Sequence, residues 1–144
     1  STAGWHEWLW RLRLTQARAE LALTRGAFDE AIATATEAID QSRTRGRPKY
    51  EALGLIVRAR GLHAIARTRG AIADARSAVD VAGTTGDPAL LLIALDVLLE
   101  LDGSDELADQ ARAVTDRVHD ALPDEGMRGD FRGSEVVRRI RRRG

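Results

Sequence analysis

The sequence predicts an all-α fold: a stack of about three antiparallel helical hairpins followed by a short C-terminal helical segment. Three observations carry this. Apolar residues make up 44% of the chain but aromatics only 4%, so the bulk is Ala, Leu, Ile and Val, which suits close-packed helices better than strands. Breaker residues divide the chain into roughly equal pieces, within which apolar residues recur every three or four positions. No stretch alternates with period two for long enough to make a strand.

The elements follow in order. A first helix covers roughly residues 3–24 and stops at Gly26. A second runs over about 27–44, with Asp29 and Glu30 in its first turn, where the macrodipole favours negative charge. Gly46 is suited to the left-handed conformation that ends a helix. A third helix starts at Pro48 and continues to Arg69. The fourth spans about 71–82 after a turn at Gly70. The fifth covers about 88–101, its start marked by a capping Asp87 before Pro88 at the first helical position. The sixth covers about 105–122, capped by Ser104 with Asp105 and Glu106 in its first turn. A weaker helix follows from Glu135, capped by Ser134. The hairpins are therefore about 3–44, 48–82 and 88–122, forming one repeat domain over 1–122. Residues 123–144 make a C-terminal capping segment with an Arg-rich tail. The chain begins Ser-Thr and its only methionine is Met127, which suits a part excised from a longer protein.

Three segments share a pattern: Gly26-Ala-Phe-Asp-Glu-Ala31, Gly70-Ala-Ile-Ala-Asp-Ala75 and Gly103-Ser-Asp-Glu-Leu-Ala108. A small residue follows seven positions later in each, at Ala38, Ala82 and Thr115. Glycine suits the tight turn between two helices, and alanines let their backbones approach. Glycine spacings of 44 and then 33 residues fall in the range of stacked helical hairpins.

This pattern resembles the tetratricopeptide repeat, through Gly26, Phe28, Ala31 and Ala38, then Gly70, Ile72, Ala75 and Ala82, and more thinly Gly103, Ala108 and Thr115. The resemblance implies a right-handed α-solenoid. Its small residue within the first helix of a repeat would be Ala19, but falls on His63 in the second repeat. The Trp8-Leu-Trp10-Arg-Leu-Arg-Leu start, Arg47-Pro48-Lys49-Tyr50-Glu51, Gly86-Asp87-Pro88, and Ala121-Leu-Pro-Asp with Met127-Arg128 and Phe131 are similar to the C-terminal repeat region of large bacterial signalling ATPases and transcriptional regulators. That likeness implies a cytoplasmic, non-catalytic regulatory module that binds a protein or peptide partner, or itself. In such arrays the first helix of each repeat lines a concave groove. Carried over position by position, this selects Arg13, Gln16 and Glu20, then Val57, Arg60, Ala64 and Arg67, then Leu90, Ile93 and Val97, basic and polar at one end and apolar at the other.

Composition narrows the chemistry. Lys+Arg and Asp+Glu are equal at 22 each, so the whole molecule has no net attraction for nucleic acid or an anionic membrane. There is no cysteine, which removes thiolate chemistry and disulfides. His6, His63 and His119 lie in three different helices without a partner four residues away. No nucleotide, zinc-protease or serine-hydrolase motif occurs, so no enzyme activity, metal or cofactor is expected. Arg128-Gly129-Asp130 is an adhesion tripeptide in spelling only, and no apolar run is long enough for a membrane helix. Two further patches stand out. Trp5, Trp8 and Trp10 crowd the first helix and make it apolar on more than one side, which suggests self-association. Arg138, Arg139, Arg141, Arg142 and Arg143 form a basic tail that could meet nucleic acid or an acidic partner, although no aromatic interleaving accompanies it. A cavity between helices sensing a small molecule is a further alternative.

Overall fold

The computed structural model describes residues 2–143, with side chains from Glu7 onward. Among these residues it is all-helical, without a strand: α1 (Thr2–Thr24), α2 (Phe28–Arg45), α3 (Pro48–Ala64), α4 (Thr68–Gly83), α5 (Pro88–Asp102), α6 (Asp105–Ala121), α7 (Glu125–Gly133) and α8 (Glu135–Arg142). Each helix from α2 to α6 packs on its predecessor, and α3 also packs on α1 and on α5, whereas α2, α4 and α6 do not pack on one another. Neighbours run antiparallel: Gly54 of α3 faces Ala35 and Ile39 of α2, while Gly61 faces Ile32 and Phe28.

The stops set this geometry. Among the described residues four adopt the left-handed conformation, at 26, 46, 66 and 86, spaced every twenty residues. At the first three the closing hydrogen bonds are alike. Gly26 N–H donates to Leu23 O and Ala27 N–H to Ala22 O; Gly46 and Arg47 repeat this on Arg43 and Ser42, and Ala66 and Arg67 on His63 and Leu62. This paired closure satisfies carbonyls that the helix end would otherwise leave open. Starts are secured as the sequence predicts: Asp87 accepts from the amides of Ala89 and Leu90, Ser104 from Leu107, and Ser134 from Val137.

The third helix is shorter than predicted. It ends at Ala64 rather than Arg69, because Ala66, not Gly70, takes the left-handed turn at φ +63°. Gly70 lies inside α4, where an added Cβ would stand 3.3 Å from Leu62. The unit of repetition is therefore forty residues, not 44 then 33. Buried positions recur on it: Ala31, Ala71 and Ala111; Ala35, Ala75 and Thr115; Leu12, Ala52 and Leu92; Ala19, Ala59 and Leu99. The small position assigned to His63 belongs to Ala59, fully buried, while His63 is exposed. The segment after Pro123 also holds one helix more than predicted. Asp124 caps α7 by accepting from Met127 N–H, despite glycines at 126, 129 and 133 that disfavour a helix.

The core runs along the array as three clusters. One cluster joins α2 to α5 through Ile39, Leu55, Ala75, Ala94 and Val97. A second joins α5, α6 and α8 through Leu95, Leu99, Ala111 and Ile140, and a third joins α1 to α3 through Ala19, Ala35 and Val57.

A non-glycine residue in the left-handed region costs about 1 kcal/mol or more. Ala66→Gly should therefore raise the stability by about 1 kcal/mol, a shift of roughly 3 °C in melting temperature. Gly26→Ala should lower it by a similar amount, since the nearest atom to an added Cβ is Phe28 Cζ at 3.9 Å and only backbone strain is at issue. Thermal melts followed by circular dichroism check both.

Candidate interaction surfaces

The forty-residue register rearranges the predicted groove. With the stop at Ala66, the positions equivalent to Arg13, Gln16 and Glu20 are Leu53, Ile56 and Arg60, then Ile93, Asp96 and Glu100. Placing the turn at Gly70 displaces the second repeat by four residues, a little over one helical turn, and so selects Val57 in place of Leu53. Val57, Leu90 and Val97 are buried, at 4%, 6% and 1% exposure, packed against the preceding helix rather than lining an open surface. Gln16 is buried too: its amide donates to Glu20, and its Oε1 has no hydrogen-bond partner. Arg13, Glu20, Arg60, Ala64 and Arg67 are exposed, and Ile93 is half-buried. The outer face of α1, α3 and α5 therefore presents Arg13, Leu53 and Ile93 at one level and Glu20, Arg60 and Glu100 at another. Its charge alternates from repeat to repeat, instead of being basic at one end and apolar at the other. Arg13 donates to the Tyr50 hydroxyl at 3.0 Å, tying α1 to α3 beneath this face.

The tryptophans separate into different environments. The Trp5 side chain lies outside the described residues. Trp8 is half-buried between two cations, the guanidinium carbons of Arg45 and Arg47 standing 5.0 and 4.9 Å from its ring centre, a geometry that attracts cation to ring face. Trp10 is 68% exposed, and Leu14 and Leu21 are 51% and 47% exposed. With exposed Ala17 they form one stripe along α1.

The basic tail is partly structural. Arg139 reaches from α8 into α5 and holds the Asp96 carboxylate from Nε at 3.2 Å and Nη2 at 2.7 Å. Asp96 is 3% exposed, among the buried apolar residues of α5. That hydrogen bond, opposed by partial desolvation, raises the Arg139 pKa. Arg139 also meets Glu135, and Arg141 stands 3.7 Å from Asp116. Arg138, Arg142 and Arg143 are exposed. α7 is fastened by Arg132, which donates to Glu125 and to His119 Nε2. Accepting that bond makes His119 the Nδ1–H tautomer, with Asp120 beside Nδ1. The Arg132 hydrogen bond holds the Glu125 carboxyl below its usual range. Arg128-Gly129-Asp130 is a turn of helix within α7.

An apolar cavity of about 500 Å³ opens where α4 ends and α5 begins, floored by Leu91, Val114 and Val118, with Asp87 and Arg117 among its lining residues. No group of three or more metal-ligating side chains gathers among the described residues, and no helix is long and apolar enough to cross a membrane. Neither a protein-family model, a curated protein nor a solved structure matches the chain.

Asp96 and Arg139 should behave as a buried pair. Arg139→Met leaves a buried carboxylate uncompensated and should cost about 3 kcal/mol, whereas Asp96→Leu combined with Arg139→Met should recover most of that loss. Urea denaturation of the two variants measures the difference.

Proposed function

We propose that the chain is a non-catalytic interaction module, a right-handed α-solenoid of three forty-residue helical hairpins that binds a protein partner through the outer face of α1, α3 and α5. The observation that carries this reading is the recurrence of the same buried positions every forty residues while positions 20, 60 and 100 of the same helices stay exposed. A repeat of this kind stacks side chains of equivalent helices into one extended face. Half-buried Leu53 and Ile93 beside Glu20, Arg60 and Glu100 suit a segment with an apolar edge and charges of alternating sign. The hairpin is longer than the 34 residues typical of a tetratricopeptide repeat, and that resemblance supports the repeat class more than a particular family. In this reading the module acts in the cytoplasm as the regulatory part of a larger bacterial signalling or transcriptional protein.

One second reading has its own support. The apolar cavity bounded by α4, α5 and α6 has the size of a small-molecule site, and Arg117 could meet a carboxylate on an otherwise apolar ligand. Binding of such a ligand would raise the melting temperature with ligand concentration. Nucleic-acid binding by the tail has less support, because Arg139 and Arg141 are turned towards carboxylates of the protein itself.

Site-specific photocrosslinking tests the main reading. A photoreactive residue at position 60 should trap one defined partner, and the same residue at Glu37 on α2 should not. Arg60→Glu should reduce capture through a neighbouring position 53 probe by at least about tenfold without altering the helical signal. Equal capture from positions 60 and 37, or unchanged capture in the Arg60→Glu protein, would remove the outer face from consideration.

A further inference from the structure

Among the described residues the large apolar side chains that stand exposed are Trp10, Leu14 and Leu21 on α1 and Met127 on α7. These two helices lie at opposite ends of the packing order. α1 packs on α2 and α3, and α7 on α6 and α8, but not on each other. In the forty-residue register Leu14 and Leu21 correspond to Gly54 and Gly61 of α3, which face α2. They correspond equally to Ala94 and Leu101 of α5, which pack in one cluster with Ala75 and Ala78 of α4. The α1 stripe is thus the counterpart of two faces that a helix covers elsewhere in the molecule.

α7 carries a surface of the opposite kind. Glycine occupies 126, 129 and 133 of this nine-residue helix, and each glycine disfavours it. None is left-handed, and no other helix approaches them. An added Cβ would meet only the side chains of α7 and its cap: Asp124 Oδ1 at 3.2 Å from Gly126, Arg132 Nη2 at 3.8 Å from Gly129, and nothing within 4 Å of Gly133. Gly126, Asp130 and Gly133 share one exposed side of the helix, with Met127 beside them. Such a side admits a close helix while keeping the chain's own core out of the contact.

The molecule already packs bulk on glycine in this way. Across α2 and α3, Ile39 lies over Gly54 and Ile32 over Gly61, so that isoleucines and glycines are each seven residues apart. Gly126 and Gly133 are also seven apart, and so are Leu14 and Leu21. An antiparallel approach of α1 to α7 sets Leu14 over Gly133 and Leu21 over Gly126, repeating the α2–α3 joint. Two α1 helices face to face would instead oppose leucine to leucine and arginine to arginine.

Charge agrees with this pairing. Beside the stripe Arg11, Arg13, Arg18 and Arg25 outnumber Glu7 and Glu20, and Arg18 has neither ion pair nor hydrogen bond among the described residues. On α7 the Asp130 carboxylate is likewise without a partner among them. The helix's own cations, Arg128 and Arg132, are turned to Glu125 and His119.

We infer that copies of this chain join end to end, the Leu14–Leu21 stripe of one copy packing antiparallel on the Gly126–Gly133 face of α7 in the next. The two surfaces differ, so the contact is head-to-tail and leaves one of each free on every pair. It does not rest on the outer-face reading, which uses Leu53, Arg60, Ile93 and Glu100.

Sedimentation equilibrium of the full chain is the test. A dissociation constant between about 10 μM and 1 mM is expected for so short a contact. Leu14→Glu and Gly133→Leu should each weaken it at least about tenfold. Both sites are exposed, so both variants should keep the helical signal and melting temperature of the parent chain. Asp130→Arg, which alters charge alone, takes the place of Gly133→Leu if that variant melts lower. The decisive sample is an equimolar mixture of the α1 and α7 variants. Each retains the surface the other lacks, so together they should form a heterodimer at close to the parent affinity. A parent chain that stays monomeric at about 1 mM, association that survives either variant, or a mixture no more associated than its components overturns the inference. Specific crosslinking from position 60 in a monomeric chain removes the end-to-end contact alone, whereas head-to-tail assembly without that crosslinking removes the outer face alone.

Discussion

The arrangement depends on where each helix stops. A helix carries its side chains round by about 100° per residue, so moving a stop changes which face meets the neighbouring helix. The left-handed turns at positions 26, 46, 66 and 86 keep the helices in phase, and alanines at 31, 71 and 111 consequently reach equivalent depths in three different helices. The phase survives at α6, where the connection is only Gly103-Ser104, because Ala111 and Thr115 occupy the positions of Ala71 and Ala75. Once the phase is set, burial, charge and exposure follow from the residue placed at each position.

Close approach between helices then does the packing. Alanine and glycine contribute little apolar area individually, but they let backbones come near enough for a larger partner to fill the remaining space. Ile39 over Gly54 and Ile32 over Gly61 illustrate this: a Cβ on either glycine would lie 2.9 Å from the isoleucine. At the C-terminal end the solution changes. α8 closes the array with buried Val137 and Ile140 and with an ion pair to Asp96, whose equivalents in α3 and α1 are Ile56 and Gln16. A carboxylate at that depth needs its guanidinium, so the last helix is held by charge as well as by apolar contact.

Much of this was legible in the sequence. The all-helical class, the starts at Pro48, Pro88 and Asp105, and the caps Asp87, Ser104 and Ser134 follow from periodicity and from side chains with a defined capping role. The stop at Ala66 was hidden because alanine carries no signature of the left-handed conformation, while Gly70 four residues later did. That displacement passed into the groove assignment, placing Val57, Leu90 and Val97 on a surface when they belong to the interior. α7 was hidden by its three glycines, and its stability comes from Asp124 and Arg132, contacts that periodicity does not report. Trp8 and Trp10 lie two residues apart, and a helix turns such neighbours to different sides, in keeping with a first helix apolar on more than one side: Trp8 stands beside Arg45 and Arg47, and Trp10 faces outward.

The Arg58–Asp74 pair has no counterpart in the other repeats. Arg58 donates to both oxygens of Asp74, at 2.7 and 2.9 Å, and to Thr36 at 3.2 Å, so one side chain of α3 fastens α2 and α4, which do not pack on each other. One repeat further along, the same positions hold Leu98 and Val114; one repeat earlier they hold Arg18 and Thr34. Genes built from similar units are prone to unequal exchange, which deletes or duplicates a unit between look-alike stretches. Here an exchange with the third hairpin would set Arg58 against Val114, or Asp74 against Leu98 without its cation, in a half-buried joint. The joint thus marks the second hairpin off from the third, so that their order bears on the stability of the folded product.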